Sequence, residues 1–186
     1  MWLIAVLVLA LALGLFVILT YNALVKLREQ VDGAWADIDV QLKRRHDLIP
    51  NLVEAVKGYA THERETLEEV IRARNQAVSA EGPEAQAEAE TFLGSALKSM
   101  FALSEAYPDL KANQNFLDLQ DNLRDTENQI ERARRYYNAI VRDYNTKIRQ
   151  VPSNIVANAF RFTPRAFFEI EEAERTAPAV DFGSGS

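Results

Sequence analysis

The chain opens on an unbroken apolar run: residues 2–20, "WLIAVLVLALALGLFVILT", are 19 positions without a charge. A helix rises about 1.5 Å per residue, so the run would reach about 30 Å, the thickness of a bilayer's hydrocarbon core. A secretory signal would set basic residues ahead of a shorter run and a small-residue cleavage site behind it. Here only Met1 precedes the run, and apolar residues continue past the "ALA" at 10–12. The pattern predicts an uncleaved transmembrane anchor over 1–20. Beyond it an apolar stripe reads Leu24, Leu27, Val31, Trp35, Ile38, Leu42, then a polar step at Arg45, then Ile49, Leu52, Val56 and Tyr59. Spacings of three and four keep these on one helical face, so anchor and stripe read as one rod.

Three more helices are expected by the same rule. Helices over 21–60 and 62–80 come first; nothing in Gly58–Glu63 forces a turn, and one continuous helix to residue 80 would change the topology. "EGP" at 81–83 punctuates the chain before a helix over 84–106, with Ala89, Phe92, Leu93, Ala96, Leu97, Met100 and Leu103 on its face. "YPDL" at 107–110 marks a turn. The helix over 112–151 has the cleanest seam: Phe116, Leu119, Leu123, Thr126, Ile130, Ala133, Tyr137, Ile140 and Tyr144. That is coiled-coil-like periodicity, ended by Pro152. No segment alternates with the period of two of a half-buried strand. The fold class is all-α: an N-terminal transmembrane helix continuing into a long antiparallel four-helix bundle over 21–151.

The lengths predict a shape. The first and last bundle helices are each about twice as long as the middle pair, so in an antiparallel arrangement the short pair covers only the membrane-distal half. The membrane-proximal half would be a two-helix stalk, which buries little and should recruit the C-terminal segment, a second subunit, or both. The segment 152–182 sets Phe160, Phe162, Phe167 and Phe168 beside Arg161 and Arg165. That mixture suits assembly or membrane contact at a bilayer interface, or packing on the stalk within one chain. Residues 183–186, "GSGS", read as a disordered tail or linker.

Charge and composition then narrow the function. All charged residues lie after position 20, so the residues beyond the anchor carry the whole formal charge of −6. That argues against nucleic acid as a partner, which needs a basic footprint. Lys26 and Arg28 lie close behind the anchor, and the positive-inside rule then places the bundle in the cytoplasm and the N-terminus outside. With no cysteine, disulfides, thiol nucleophiles and thiolate metal sites are excluded. A di-metal carboxylate bundle needs Glu-x-x-His; the residues three before His46 and His62 are Lys43 and Tyr59. The serines lie in no nucleophile-elbow context, neighbouring carboxylates such as Asp37/Asp39 face apart, and no Gly-rich phosphate loop is present. "RARR" at 132–135 reads as a solvated helix face beside Glu131. No catalytic, metal or cofactor-binding residue is assigned.

Two clusters remain. In "DVQLKRRHDLIPNLVEAVKGY" (39–59), Pro50 deprives the carbonyl of His46 of its helical partner, so the helix is expected to kink, or to restart with Asp47 as N-cap. Arg45 falls on the buried stripe and needs an acid or freed carbonyls; Asp118, Asp121 and Asp125 are unranked candidates. Arg45, His46, Asp47 and Pro50 are thus read as a structural joint. "YN" recurs at 137–138 and 144–145, one heptad apart. Tyr137 and Tyr144 lie on the seam, with Asn138 and Asn145 beside it to fix bundle register by bonding across to another helix.

The stretches "YNALVKLREQVDGAWADIDVQLKRRHDLIPNLVEAVKGYATHE", "YPDLKANQNFLDLQDNLRDTENQIERARRYYNAIVRDYNTKI" and "PSNIVANAF", with "APAVDF" near the end, closely resemble the LemA family of bacterial membrane proteins. The likeness runs from about Tyr21 to Phe182. Arg161 stands where a Gly between two aromatics is usual, a departure that bears on the turn expected there. The resemblance implies a single N-terminal anchor with the short N-terminus outside, an antiparallel four-helix bundle in the cytoplasm, and no established catalytic residues. It also implies a role near membrane organisation and intracellular membrane formation, as in some relatives. The expected function is a non-enzymatic, membrane-anchored scaffold in the plasma membrane. It would self-associate as a homo-oligomer and organise the membrane or client membrane proteins. A monomeric adaptor for signalling or protein quality control is the alternative, and an enzyme the remote one.

Overall fold

The computed structural model describes residues 1–60 and 62–170. The C-terminal segment beyond Ile170 and the 183–186 tail lie outside the described residues. No strand occurs among the described residues; the helices are α1 (Trp2–Lys57), α2 (Arg64–Ser79), α3 (Gly82–Ser104), α4 (Pro108–Lys111), α5 (Gln114–Arg149) and α6 (Ser153–Ala159). The chain is all-helical with one long apolar N-terminal helix, as its periodicity predicts.

α1 runs unbroken from the apolar run past Pro50, so the restart expected at Asp47 does not occur. Asp47 is exposed inside the helix and caps nothing. The carbonyl that Pro50 frees on His46 accepts instead from Arg74 Nε of α2 at 3.3 Å. A donor from a packed neighbour thus replaces the missing N–H, and the helix continues at lower cost than proline alone would set.

One continuous helix to residue 80 is also excluded. α1 stops at Lys57, and Ala60 beyond it is buried in the core. Tyr59 OH accepts from Asn113 Nδ2 at 3.0 Å, while Asn113 Oδ1 caps α5 by accepting from the Phe116 N–H at 3.1 Å. The turn is held by its neighbours rather than by a breaker of its own. α3 begins with Gly82 at φ 83°, a left-handed conformation that glycine adopts without penalty, and Pro comes next in its first turn.

α1 and α5 pair antiparallel: Tyr59 meets Asn113, Arg45 meets Glu127, and Trp35 meets Tyr137. α2 folds back on α1, and α3 on α2. Between α3 and α5 lies an open groove of about 420 Å³, with Thr91, Gly94 and Ser95 on one wall and Asn128 and Glu131 on the other. Two apolar cores result. The distal one joins Ile49, Leu52 and Val56 of α1 to Val70, Leu93, Met100, Phe116 and Leu123. The proximal one, in the stalk, joins Leu24, Val31, Ile38 and Leu42 of α1 to Ile130, Tyr137, Tyr144, Val156 and Phe168.

α6 ends in a turn that the sequence made improbable. Arg161 N–H donates to Asn158 O at 3.2 Å, and Phe162 N–H donates to Ala157 O at 2.9 Å. This paired closure needs a left-handed residue between its two aromatics, and Arg161 supplies it at φ 58°. An L-residue there costs about 1–2 kcal/mol. Arg161→Gly should therefore raise the unfolding free energy by about 0.5–1 kcal/mol after glycine's extra unfolded-state freedom is subtracted. The readout is the urea midpoint of the full chain in detergent; an unchanged or lower midpoint would mean the arginine side chain stabilises the turn as much as its backbone strains it.

Candidate functional site

Between the two cores sits a layer of charge. On α1 it falls between Leu42 and Ile49, on α3 it falls at Gln86 and Glu90, and on α5 between Leu123 and Ile130. The Glu90 carboxylate has no solvent exposure and accepts from three donors. These are Arg45 Nη1 at 2.8 Å, His46 Nε2 at 2.6 Å and Gln86 Nε2 at 3.0 Å. Arg45 Nη2 also donates to Glu127 of α5 at 3.0 Å, and Gln86 Nε2 to the Ala77 carbonyl of α2 at 3.1 Å. One carboxylate therefore ties α1 to α3, and its arginine ties both to α5. The bonds to Glu90 are charge-assisted and out of water, so removing one member would strand the others.

A carboxylate that is saturated and sealed from solvent holds helices in register; it is not placed to take a proton from a substrate. Thr91 and Ser95, the hydroxyls in the adjoining groove, donate back to carbonyls of their own helix at 2.9 and 3.1 Å. No group of three His, Asp or Glu side chains among the described residues is arranged to hold a metal ion.

The second constellation grips the chain's own C-terminal segment. Residues 163–170 run extended along the stalk, and the two "YN" pairs hold them by main-chain atoms. Asn145 Nδ2 donates to the Arg165 carbonyl at 2.8 Å, and its Oδ1 accepts from the Arg165 N–H at 2.9 Å. One heptad earlier, Asn138 does the same for Phe168 at 3.0 and 2.9 Å. Tyr144 OH donates to the Thr163 carbonyl at 3.0 Å and Tyr137 OH to that of Ala166 at 2.9 Å. The groups expected to bond across to another helix thus form a ladder to an extended strand-like segment, which has free backbone groups that a helix lacks.

Side chains complete the seal. Phe168 is fully buried, with its ring edge-on to Trp35 at 5.3 Å, a burial worth about 2–3 kcal/mol. Arg165 Nη2 donates to Asp32 of α1 at 2.9 Å, and Phe162 lies under Arg28 and against Tyr21. Phe167 is partly exposed beside α3, whereas Phe160 and Arg161 face outward. The six residues grouped for assembly or membrane contact are therefore split: Phe162, Arg165 and Phe168 close the stalk within one chain.

Periodicity placed Arg45 on the buried stripe but missed its partners. Asp118, Asp121 and Asp125 do not pair with it; Glu90 and Glu127 do. A signal was present: Gln86, Glu90, Leu93, Leu97 and Met100 are spaced by three and four, which puts two polar residues on a buried face.

Glu90→Gln is expected to cost about 3 kcal/mol of stability, because it leaves a buried guanidinium short of charge. Arg45→Met, His46→Leu and Glu90→Met together should recover most of that loss, as an apolar layer of similar volume does elsewhere. Chemical denaturation of the parent and the two variants compares them; a triple variant as weak as Glu90→Gln would remove charge pairing as the cause.

The ladder predicts an alkaline limit. Burial pushes the Tyr137 phenol above its ordinary 10.0, opposed by Arg165 and aided by Asp32. Tyr144 is raised by burial too, against Arg165 and Arg28, with Asp32 adding to the rise. The folded state keeps these protons at a pH where the unfolded chain releases them. Their contribution is full below about pH 10 and is lost as pH rises through the higher folded values. Trp35 emission should shift as the segment lets go above about pH 10. Tyr137→Phe with Tyr144→Phe should abolish that step, and the same step in both proteins would disprove the assignment.

A family model described as the LemA family matches residues 34–182. Protein LemA of Metamycoplasma hominis is 29% identical over 159 residues, covering 83% of this chain and 71% of its own. Magnetosome protein MamQ 2 of Paramagnetospirillum magneticum is 23% identical over 185 residues, covering 86% and 68%. Magnetosome protein MamQ of Magnetospirillum gryphiswaldense is 24% identical over the same length and shares. The matched region takes in the charge layer, both Tyr–Asn pairs and the segment they hold, and the chain belongs to the LemA family.

Proposed function

We propose that this protein is a non-enzymatic, membrane-anchored helical scaffold that self-associates and organises the membrane or proteins within it. The observation that carries this reading is α1: one continuous helix leads from the apolar run through both cores. Such a part holds a helical domain at a fixed distance from a bilayer. Neither the family description nor the relatives' names carries a reaction, and two relatives are named for the magnetosome. In this reading α1, α2, α3 and α5 make an antiparallel four-helix bundle whose α3–α5 seam is open.

Since the stalk is filled from within, copies would meet on its outer face. Val40 is 61% exposed there, beside Gln129, Arg132 and Ala133 and within one turn of Tyr136, itself 55% exposed. We place the span in the plasma membrane; the positive-inside rule favours the bundle in the cytoplasm, a reading supported by Lys147 and Arg149 lying at the end of the stalk that carries Lys26 and Arg28.

The groove between α3 and α5 supports the second reading, an adaptor that takes a client segment there. Native mass in lipid nanoparticles separates the two. A discrete homo-oligomer of the full chain, weakened by Val40→Glu, is the expected outcome. A monomer at all concentrations would defeat the scaffold reading and move the search to clients of the groove.

A further inference from the structure

We infer that α6 and its flanks form a second membrane contact, an interfacial foot that lies in the headgroup layer and prefers anionic lipid. The inference rests on the reading of residues 2–20 as a membrane span. Its evidence is where α6 packs. Val156 and Ala157, the apolar residues it buries, belong to the proximal core, against which Phe16 and Val17 of the apolar run also pack. Thr20, the last residue of that run, is buried as well. At the other end of α6, the Phe160 ring packs at a tilt against Tyr21 with centroids 4.8 Å apart. α6 is therefore level with the last turn of the span and the first residue after it, a depth of about 5–10 Å around the hydrocarbon boundary.

On its side away from the stalk α6 exposes Ile155 next to the amide of Asn158, and its flanks expose two further apolar residues. Val151 is 73% exposed, Ile155 67% and Phe160 52%. A water-facing surface has little use for three such residues within ten positions, and at this depth the neighbouring phase is lipid. The charge pattern names the lipid. From Tyr144 to Phe168 the chain has no acidic residue but carries Lys147, Arg149, Arg161 and Arg165. Arg165 is engaged by Asp32, while Arg149 and Arg161 are exposed, as is Lys26 across the same end of the stalk. A protein with a formal charge of −6 thus sets exposed cations around the end of its apolar run, where the nearby acid Glu29 is paired with Arg28. Cations at an anionic lipid surface are held by its negative potential, an attraction that fades within a Debye length. Apolar side chains between cations at the headgroup level are the composition of an interfacial anchor.

The chain has no cysteine, so single-cysteine variants of the full protein can be labelled with an environment-sensitive fluorophore. Leu9→Cys reports on the span, Ile155→Cys on the foot, and Val78→Cys on exposed α2 as the aqueous reference. Each is reconstituted into phosphatidylcholine vesicles with and without phosphatidylglycerol, and quenched by lipids brominated near the headgroup. The label at 155 is expected to shift to the blue and lose emission to the brominated lipid, more so with phosphatidylglycerol, while that at 78 does neither. A water-like signal at 155 beside a lipid-like signal at 9 overturns the foot and leaves the span in place. Water-like signals at both overturn the span itself. Equal quenching at 155 in neutral and anionic vesicles overturns the preference for anionic lipid, as would its persistence in Arg149→Glu with Arg161→Glu.

Discussion

A carboxylate withdrawn from water has to be satisfied by donors of its own chain, and the rest of this structure is arranged around Glu90 for that reason. Apolar contacts tolerate sliding by a turn, since one Leu can replace another in a helical groove. A buried ion cannot slide without stranding its partners at a cost of several kcal/mol. With Glu90 bound by Arg45, His46 and Gln86, and Arg45 bound to Glu127, three helices have one permitted axial setting. The cores on either side of this layer are then packed in register by default, including the ladder on α5 that begins about three turns nearer the apolar run.

That ladder solves a problem set by helix lengths. Two helices paired over the stalk leave an apolar flank open on the side where α2 and α3 do not reach. A third helix would fill it, but residues 163–170 fill it in extended form, and an extended segment exposes main-chain donors and acceptors that burial would leave unpaired. Asn138 and Asn145 each offer a donor and an acceptor on one planar group, and so match a residue's own N–H and C=O. The polar repeat on the seam is thus the necessary companion of Phe168 in the core.

How much of the structure was legible in the sequence depended on range. Element type came from spacing, because an apolar stripe is a local property of twenty or thirty residues. The stalk was legible as a deficit, from lengths alone. The segment that fills it was left open, because which of several apolar stretches meets a surface is decided by contacts some thirty residues apart, such as Asn138 with Phe168. Pro50 shows the same limit. Its local effect, a freed carbonyl on His46, was readable; the repair by Arg74, 28 positions away, was not. Glu90 was legible in kind, as a polar residue on a buried stripe, yet its pairing with Arg45 needed the fold. At Arg161 a strong local preference was overridden by closure of the α6 turn on both sides.

The unbroken course of α1 has a mechanical consequence. From Tyr21 to Lys57 the helix extends about 55 Å past the apolar run, braced by α5 on one side. Tilting the buried part by about 20°, an ordinary accommodation to bilayer thickness, swings the far end sideways by about 19 Å. With the apolar run seated in a bilayer as proposed, the protein would be a pointer pivoted in the lipid: small differences in thickness or curvature at its base would be magnified into displacements at its tip.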